Sequence, residues 1–270
     1  RIFLSVLCIN RRPFFDFLQN GSVFLPKEDR DMAEAVENVL KSYGVSVITG
    51  AGLKEIKEGT AVYTKNGEED TLDGDAILLA TGRGPNTEGL HAERAGVELT
   101  KRGAVVTDKH LRTTAENIWA AGDVCGNLQF TYISLDDSRI ILSDMQGDGS
   151  RTTENRGAFA YSVFMEPSFS RAGLSEKEAA DKGLNYRVVR MNTDMIPKAK
   201  VLRKTTGMLK AVIDKDSGKI FGAALFCPES YEIINMVKLA MDHDLDYTVL
   251  RDFIYTHPTM SEGLNDLFAL

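Results

Sequence analysis

Cysteine is scarce in this sequence of 270 residues, and its three copies lie far apart. Cys8, Cys125 and Cys227 form no CxxC or CxxxxC pair, which excludes a local zinc knuckle and a local redox dithiol. Isolated thiols are typical of proteins kept in a reducing compartment. We therefore expect a cytoplasmic protein in which Cys125 and Cys227 are small buried residues rather than reactive groups.

Excess positive charge and long apolar runs are also missing. The sequence has 32 Lys and Arg against 39 Asp and Glu, a net charge of −7, which argues against nucleic acid because phosphates attract basic surfaces. No apolar run approaches the roughly 20 residues of a membrane-crossing helix, so no membrane partner is expected. The apolar segment 2–9 has no small-residue cleavage site after it, which favours a buried strand over a signal peptide.

Strand and helix patterns alternate in the first 80 residues. Residues 45–48 and 76–79 are short aliphatic and β-branched runs, which predict buried strands. Between Pro26 and Gly44 apolar residues recur at helical spacing, and Gly44 suits the left-handed end of a helix. A strand, a helix and a strand in this order predict an α/β layer with a parallel sheet.

Short strands are predicted next, at 104–107 and 118–121. A helix is expected over about 133–145, and the glycine-containing segment 146–150 is expected to be a flexible link. These elements separate the α/β pattern from the last third of the chain.

The last third has the pattern of a separate α+β unit. Residues 208–213 and 219–226 flank a turn-forming segment and predict an antiparallel hairpin. Ser175 and Glu178 have the spacing of a capping box that begins a short helix. Apolar residues at helical spacing over 231–241 predict a packed helix.

A histidine and a carboxylate lie close together near the C-terminus, in HPTMSE at 257–262. Histidine titrates near neutral pH, and a carboxylate bonded to one ring nitrogen determines which tautomer faces a substrate. His257 and Glu262 are therefore a candidate general acid–base and its orienting partner. A His-Pro pair in a loop is also common as a structural feature, so the motif alone leaves both interpretations open.

Gly122 and Asp123 follow an apolar run and form a second candidate site. Glycine lets a ligand approach the backbone closely, and the carboxylate of Asp123 can accept a hydrogen bond from a ribityl or ribose hydroxyl. In open α/β sheets, ligands bind at the carboxyl ends of strands. The alternative is a turn in which Asp123 caps the next helix.

Three motifs, in this order, resemble those of the pyridine nucleotide–disulfide oxidoreductases: ATGRGPN at 80–86, AAGDV at 120–124, and HPTMSE at 257–262. Further segments are similar to the mercuric-reductase-like branch of that family: LPKEDRD at 25–31, FTYISLDD at 130–137 and SEGLNDLF at 261–268. The resemblance covers roughly residues 21–270 and corresponds to the C-terminal part of a family chain.

The resemblance implies partial nucleotide-binding (Rossmann-like) α/β domains followed by an α+β dimerisation domain with an antiparallel sheet. The expected domains are 1–83 for NAD(P), 84–152 for FAD and 153–270 for dimerisation. A homodimer through the last domain is expected from the same resemblance.

FAD and NAD(P)H are the cofactors that the resemblance implies for the complete enzyme. It assigns six residues to the cofactor site: Gly82, Arg83, Gly122, Asp123, Phe130 and Thr131. Asp123 would hold the flavin ribityl chain. Backbone groups of Phe130 and Thr131 would face the flavin pyrimidine edge, where the N-terminal dipole of the following helix stabilises the negative charge of reduced flavin.

The same resemblance gives His257 and Glu262 a catalytic role. His257, oriented by Glu262, would be the acid–base for a thiol pair in the active site of the partner subunit. The final electron acceptor would be a disulfide, a metal ion or a reactive oxidant.

Two features of complete family members are missing, the GxGxxG fingerprints and a Cys-x4-Cys dithiol. Where the second fingerprint belongs, the sequence reads CINRRPFF at 8–15, whose side chains would obstruct a pyrophosphate. The sequence also does not start with Met. We therefore expect the C-terminal part of a longer enzyme, which alone holds little or no cofactor; the alternative is a non-catalytic dimerisation module without flavin or reductase activity.

Two acidic segments are weaker candidates. DHDLD at 242–246 could suggest a metal site, but consecutive residues fan out around a helix, so we expect a solvated helix end and no metal. Asp136 and Asp137 diverge for the same reason, and we expect both to be exposed acids on a helix.

Overall fold

The computed structural model describes residues 15–270, and within them it has ten strands, seven α-helices and three short 3₁₀ helices. The strands are β1 (Phe15–Gln19), β2 (Val45–Thr49), β3 (Ala51–Lys57), β4 (Thr60–Lys65), β5 (Glu68–Asp73), β6 (Ala160–Val163), β7 (Phe169–Gly173), β8 (Tyr186–Asn192), β9 (Met208–Asp214) and β10 (Ile220–Phe226). The helices are α1 (Arg30–Ser42), α2 (Thr131–Gln146), α3 (Glu176–Asp181), α4 (Pro197–Leu202), α5 (Ser230–Asp242), α6 (Tyr247–Arg251) and α7 (Gly263–Ala269). The strand expected at 2–9, and Cys8 with it, lies outside the described residues.

Two compact units divide this part of the chain. One combines residues 15–80 with 158–270, and the other is formed by residues 81–157. The three sequence domains at 1–83, 84–152 and 153–270 are a different division, and their limits stay a prediction. No helix in residues 15–270 combines the length and the apolar character that a membrane crossing requires.

The expected α/β layer is present at the start of the first unit. Strands β1 and β2 pair in parallel, with Phe15 opposite Val45, and α1 connects them. Helix α1 buries Met32, Val36 and Leu40, which are spaced four residues apart and therefore lie on one face. The predicted helix is confirmed, as is a strand at 45–48, although that strand is half-buried rather than buried.

A three-stranded antiparallel sheet, β3-β4-β5, follows and is missing from our sequence predictions. Its second hairpin turns at Asn66 and Gly67, both with positive φ, +53° and +85°. Asn-Gly is the preferred pair for a tight hairpin turn of this kind, so the signal was present in the sequence. The strands themselves carry few apolar residues, and β5 (EEDTLD) is almost wholly exposed.

Three predicted strands are wrong. Residues 76–79 form no strand, because nothing in the described chain pairs with their backbone. Leu78 and Leu79 are 72% and 60% exposed. Residues 104–107 and 118–121 contribute only isolated bridges, Leu99 with Val105 and Arg112 with Trp119. Apolar and β-branched content predicts burial at these places but does not supply the neighbouring strand that a ladder needs.

The last part of the first unit is a five-stranded antiparallel sheet of order β6-β7-β10-β9-β8. The predicted hairpin is β9–β10, and the predicted helix is α5, which packs Ile233 and Val237 into the main core with Leu209 and Leu225 of the sheet. Both predictions are confirmed, as is the α+β arrangement with an antiparallel sheet.

Lys210 on β9 is buried among three carboxylates. Its Nζ lies 2.9 Å from Asp29, 3.0 Å from Asp31 and 2.7 Å from Glu176, and 2% of its side chain is exposed. Asp29 and Asp31 belong to the start of α1, and Glu176 is the first residue of α3. One ammonium group therefore joins the start of α1, the sheet and α3.

The predicted capping box at α3 is confirmed, and it gives a stability prediction. Ser175 Oγ accepts from Glu178 N–H at 3.1 Å, and Ser175 N–H donates to Glu178 Oε2 at 2.8 Å. Ser175→Ala removes one of these bonds, so we expect the free energy of unfolding to fall by about 1 kcal/mol. Urea denaturation measures it, with Ser175→Thr, which keeps the hydroxyl, as the control. Equal losses in both variants would contradict a role for the cap.

Candidate active site

The turn at Gly122–Cys125 is a single 3₁₀ turn packed against α2. Gly122 has a φ of +77°, and a Cβ there would lie 2.8 Å from Ser134 Oγ. Glycine is therefore required by both conformation and space. Because the run before it is no strand, the turn does not lie at the carboxyl end of a sheet strand, contrary to the expectation from the sequence.

Asp123 presents a partly exposed carboxylate directly after Gly122. Its Oδ2 lies 3.6 Å from Arg83 Nη1, and the two side chains are 40% and 54% exposed. The structure thus brings together two of the predicted cofactor residues in a place that a ligand can reach. Gly82, the neighbour of Arg83, has a φ of +125°, and a Cβ added there would meet open space, so conformation alone favours glycine at this position.

Helix α2 begins at Thr131, and Phe130 is its extended N-cap residue with a φ of −135°. The carbonyl of Phe130 accepts from the N–H groups of Ile133 and Ser134 at 3.0 and 3.1 Å. Thr131 and Tyr132 are exposed, so the positive end of a helix of 16 residues faces solvent. That end can stabilise negative charge on a bound group.

Asp136 and Asp137 are buried, which corrects the prediction of exposed helix acids. They are 8% and 3% exposed. Asp137 Oδ2 accepts from Gly122 N–H at 2.8 Å, and its Oδ1 accepts from Arg156 Nη2 at 2.7 Å. Asp136 accepts from Arg151, and its Oδ2 also lies 3.4 Å from Arg156 Nε. Two arginines that follow α2 in the chain therefore neutralise the charges of these two buried acids. The sequence pattern of the helix does not by itself show on which side of the helix the two acids lie.

Cys125, at the end of the same turn, is buried and free. Burial, followed by the nearby Asp137 charge, raises the pKa of its thiol to about 11. The thiol therefore stays protonated at neutral pH and is a poor nucleophile. Cys227 is free and fully buried in the main core. The prediction that Cys125 and Cys227 are buried is confirmed.

His257 and Glu262 are hydrogen-bonded in the other unit. Nδ1 of His257 lies 2.8 Å from Glu262 Oε2, and the side chains are 71% and 12% exposed. Glu262 immediately precedes α7, and Asn265 in that helix donates to the carbonyls of Leu250, Arg251 and Phe253. A largely covered carboxylate on an anchored loop thus holds an exposed imidazole, as an acid–base catalyst requires.

The segment 242–246 forms no ligand cluster. Asp242 pairs with Lys238 and accepts from Ala158 N–H, whereas Asp244 pairs with Lys219. Across residues 15–270, no three His, Cys, Asp or Glu side chains are placed to hold a metal ion.

Two family models match this chain. Residues 16–138 match the pyridine nucleotide-disulphide oxidoreductase model, and residues 159–268 match the dimerisation domain of the same family. The probable pyridine nucleotide-disulfide oxidoreductase RclA of Escherichia coli is 47% identical over 253 residues, which are 94% of this chain and 57% of that protein. A mercuric reductase of Staphylococcus aureus is 34% identical over 92% of this chain and 46% of its own length.

Solved structures are similar as well. The copper(II) complex of the HOCl-induced flavoprotein disulfide reductase RclA from E. coli superposes with a TM-score of 0.89 at 46% identity, over 94% of this chain and 59% of that chain. LpdA from Mycobacterium tuberculosis, at 23% identity and a TM-score of 0.85, shows the same fold over 55% of its chain. The chain spans about half the length of the relatives it matches.

Proposed function

We propose, from the premise that this chain belongs to the pyridine nucleotide-disulphide oxidoreductase family, that it is the C-terminal part of an FAD-dependent NAD(P)H:disulfide, metal or oxidant reductase. The observation that carries the proposal is the His257–Glu262 hydrogen bond of 2.8 Å on an anchored loop. We take the possible classes of the final electron acceptor from the names of the relatives, which are disulfide and mercuric reductases.

The predicted flavin residues fit part of a flavin. The Asp123 carboxylate is open to a ribityl hydroxyl, and the exposed start of α2 at Thr131 offers a positive dipole to the electron-accepting ring. Gly82, Arg83, Gly122 and Phe130 would complete this half of the site. When bound, the flavin supplies two-electron transfer between the nicotinamide and a disulfide. The phosphate-gripping fingerprint is absent from the sequence, so this chain holds only part of the site.

His257 would hold and move the proton. Its Nδ1 is engaged by Glu262, which leaves Nε2 as the nitrogen that can take a proton from a thiol and return it to a leaving thiolate. Glu262 fixes the tautomer and stabilises the imidazolium that forms. Uptake and return of the proton both depend on how Glu262 orients His257 and on the exposure of the imidazole ring.

The chain would act as a homodimer. The match to the family's dimerisation domain supports this, and Phe253 and Ile254, 52% and 93% exposed, offer apolar contact area beside the catalytic loop. Such exposure is typical of an interface. We propose a reducing cytoplasm as its location, since Cys125 and Cys227 are free thiols.

Flavin retention tests the proposal. The test protein is a chimera, in which residues 16–270 of this chain are fused after the part of the E. coli relative that this chain does not match. We expect the purified chimera to be yellow, with stoichiometric flavin, and to oxidise NAD(P)H. The 270-residue chain mixed with FAD should elute as a nearly colourless dimer, because a GxGxxG fingerprint is absent from its sequence. A folded, dimeric chimera without flavin would contradict the proposal and support the dimerisation module.

A further inference from the structure

Asp137 connects helix α2 to the turn that carries Asp123. Both of its carboxylate oxygens accept hydrogen bonds, Oδ2 from Gly122 N–H at 2.8 Å and Oδ1 from Arg156 Nη2 at 2.7 Å. The residue is 3% exposed, and 15% of the Arg156 side chain is exposed. A buried, charge-assisted bond to a backbone N–H is among the stronger hydrogen bonds in a protein.

Three hydrogen bonds hold the turn, and the first is the bond from Gly122 N–H to Asp137. At its other end, Gly126 N–H donates to the Asp123 carbonyl at 3.1 Å, and Val105 N–H donates to the Val124 carbonyl at 3.0 Å. Gly122 itself has a φ of +77° and packs on Ser134 of α2. The direction in which the Asp123 side chain leaves the turn is therefore set largely by how Gly122 is held.

Only a carboxylate satisfies both partners of Asp137. Gly122 N–H and Arg156 are donors, so two acceptor oxygens are needed at this position. An asparagine offers one oxygen and one NH2 group, and whichever way it is oriented, two donors then face each other. Asp136, next in the chain and similarly buried, bonds to Arg151, lies 3.4 Å from Arg156 Nε and makes no hydrogen bond to the turn.

We propose that Asp137, held by Arg156, is a positioning residue that orients the Gly122–Asp123 turn so that the Asp123 carboxylate can bind the flavin ribityl chain. The inference rests on the proposed function for the ligand and on the hydrogen bonds above for the positioning. It adds to the site a residue that touches neither the ligand nor the reacting atoms.

Amide hydrogen exchange in the 270-residue chain tests the positioning without any cofactor. We expect Asp137→Asn to speed exchange of the Gly122 amide by about tenfold or more and to shift the NMR signals of the Asp123 carboxyl group. The matched control is Asp136→Asn, which removes a charge beside Arg156 but keeps the bond from Gly122 to Asp137, so it should change both much less. Fluorescence of Trp119, the single tryptophan, which lies in the same unit, follows whether residues 81–157 remain folded.

Riboflavin, which has the ring and ribityl chain without phosphates, is the ligand probe, and its binding to the 270-residue chain is measured at equilibrium by fluorescence quenching, because the weak binding expected of a partial site is lost during elution. We expect Asp137→Asn to weaken riboflavin binding severalfold and Asp136→Asn to leave it unchanged. Absence of riboflavin binding to the wild-type chain would count against the proposed flavin site, whereas the Gly122 exchange rate would still decide the positioning role. Unchanged Gly122 exchange in Asp137→Asn would overturn the inference, and so would equal changes in both variants. If Asp137→Asn unfolds, the double variant Asp137→Asn/Arg156→Gln is measured instead, because the glutamine oxygen can accept from the NH2 group of the new asparagine. This variant should restore slow Gly122 exchange, and failure to restore it would also overturn the inference.

Discussion

Lys210→Met is expected to lower the free energy of unfolding of the unit formed by residues 15–80 and 158–270 by about 3–5 kcal/mol. The variant keeps most of the side-chain volume but leaves Asp29, Asp31 and Glu176 without the ammonium group that lies within 3.0 Å of each. The cost falls mainly on Asp29, whose side chain is 10% exposed, because water cannot replace the partner of a buried charge. Asp31 and Glu176 are about a third exposed and keep Arg190 as a partner, so the loss is expected at the lower end of that range. Urea denaturation followed by circular dichroism measures the change.

Lys204→Met is the matched control. The Lys204–Glu166 pair has a distance of 2.9 Å, but both side chains are 55% exposed, so solvent screens the pair. We expect little measurable change in the free energy of unfolding for this variant. Similar losses in the two variants would show that loss of a lysine in general, rather than burial of Lys210, is responsible.

Acid denaturation gives a second measure of the same cluster. Burial raises the pKa of Asp29, but hydrogen bonds from Lys210 and from the backbone of Glu176 and Lys177 outweigh it, so the pKa lies below its ordinary 3.8. Such a carboxylate stabilises the fold above its ordinary pKa and loses that contribution as pH falls through the lowered value. Without Lys210 the raising effect of burial is less opposed, so Lys210→Met lacks this contribution. Its deficit in the free energy of unfolding relative to the wild type should therefore shrink as pH falls below 3.8, where the carboxyl groups become protonated.

Elements whose pattern and partners are close in sequence could be predicted. Helix α1 follows from apolar residues four apart, and hairpin β9–β10 follows from two apolar strands around a turn. The capping box of Ser175 and Glu178 is wholly local. The family assignment from three spaced motifs is also confirmed by the family models for both parts of the chain.

Elements that depend on distant partners could not be predicted from pattern. Leu78 and Leu79 look like part of a buried strand, yet a strand exists only where another strand pairs with it. Sheet β3-β4-β5 is mostly polar, and the Asn66-Gly67 turn was its single strong local signal.

The same distinction applies to the site. His257 and Glu262 are five residues apart in one loop, so their contact followed from the motif. The burial of Asp137 depends on Arg156 and on Gly122, 19 and 15 residues away, and no periodicity reports those contacts.

His257→Ala is expected to lower turnover of the complete enzyme by about 10²- to 10⁴-fold while flavin stays bound. The reason is geometric: His257 is an exposed imidazole held at one nitrogen by Glu262, and alanine leaves no group there to move a proton. The flavin-binding chimera of residues 16–270 is a suitable enzyme, with turnover measured by NAD(P)H oxidation and flavin content by absorbance.

His243→Ala is the matched control, since His243 is an exposed histidine at the end of α5 and has no proposed part in the reaction. Glu262→Gln should cause a smaller loss than His257→Ala, because the amide still contacts Nδ1 but no longer stabilises the imidazolium. If the loss of turnover in His257→Ala is smaller at higher pH, this would support a proton-transfer role for His257, since more of the thiol is then ionised without a base. Turnover equal to the wild type in His257→Ala would remove the imidazole from the reaction and leave the motif a structural feature of the dimerisation domain.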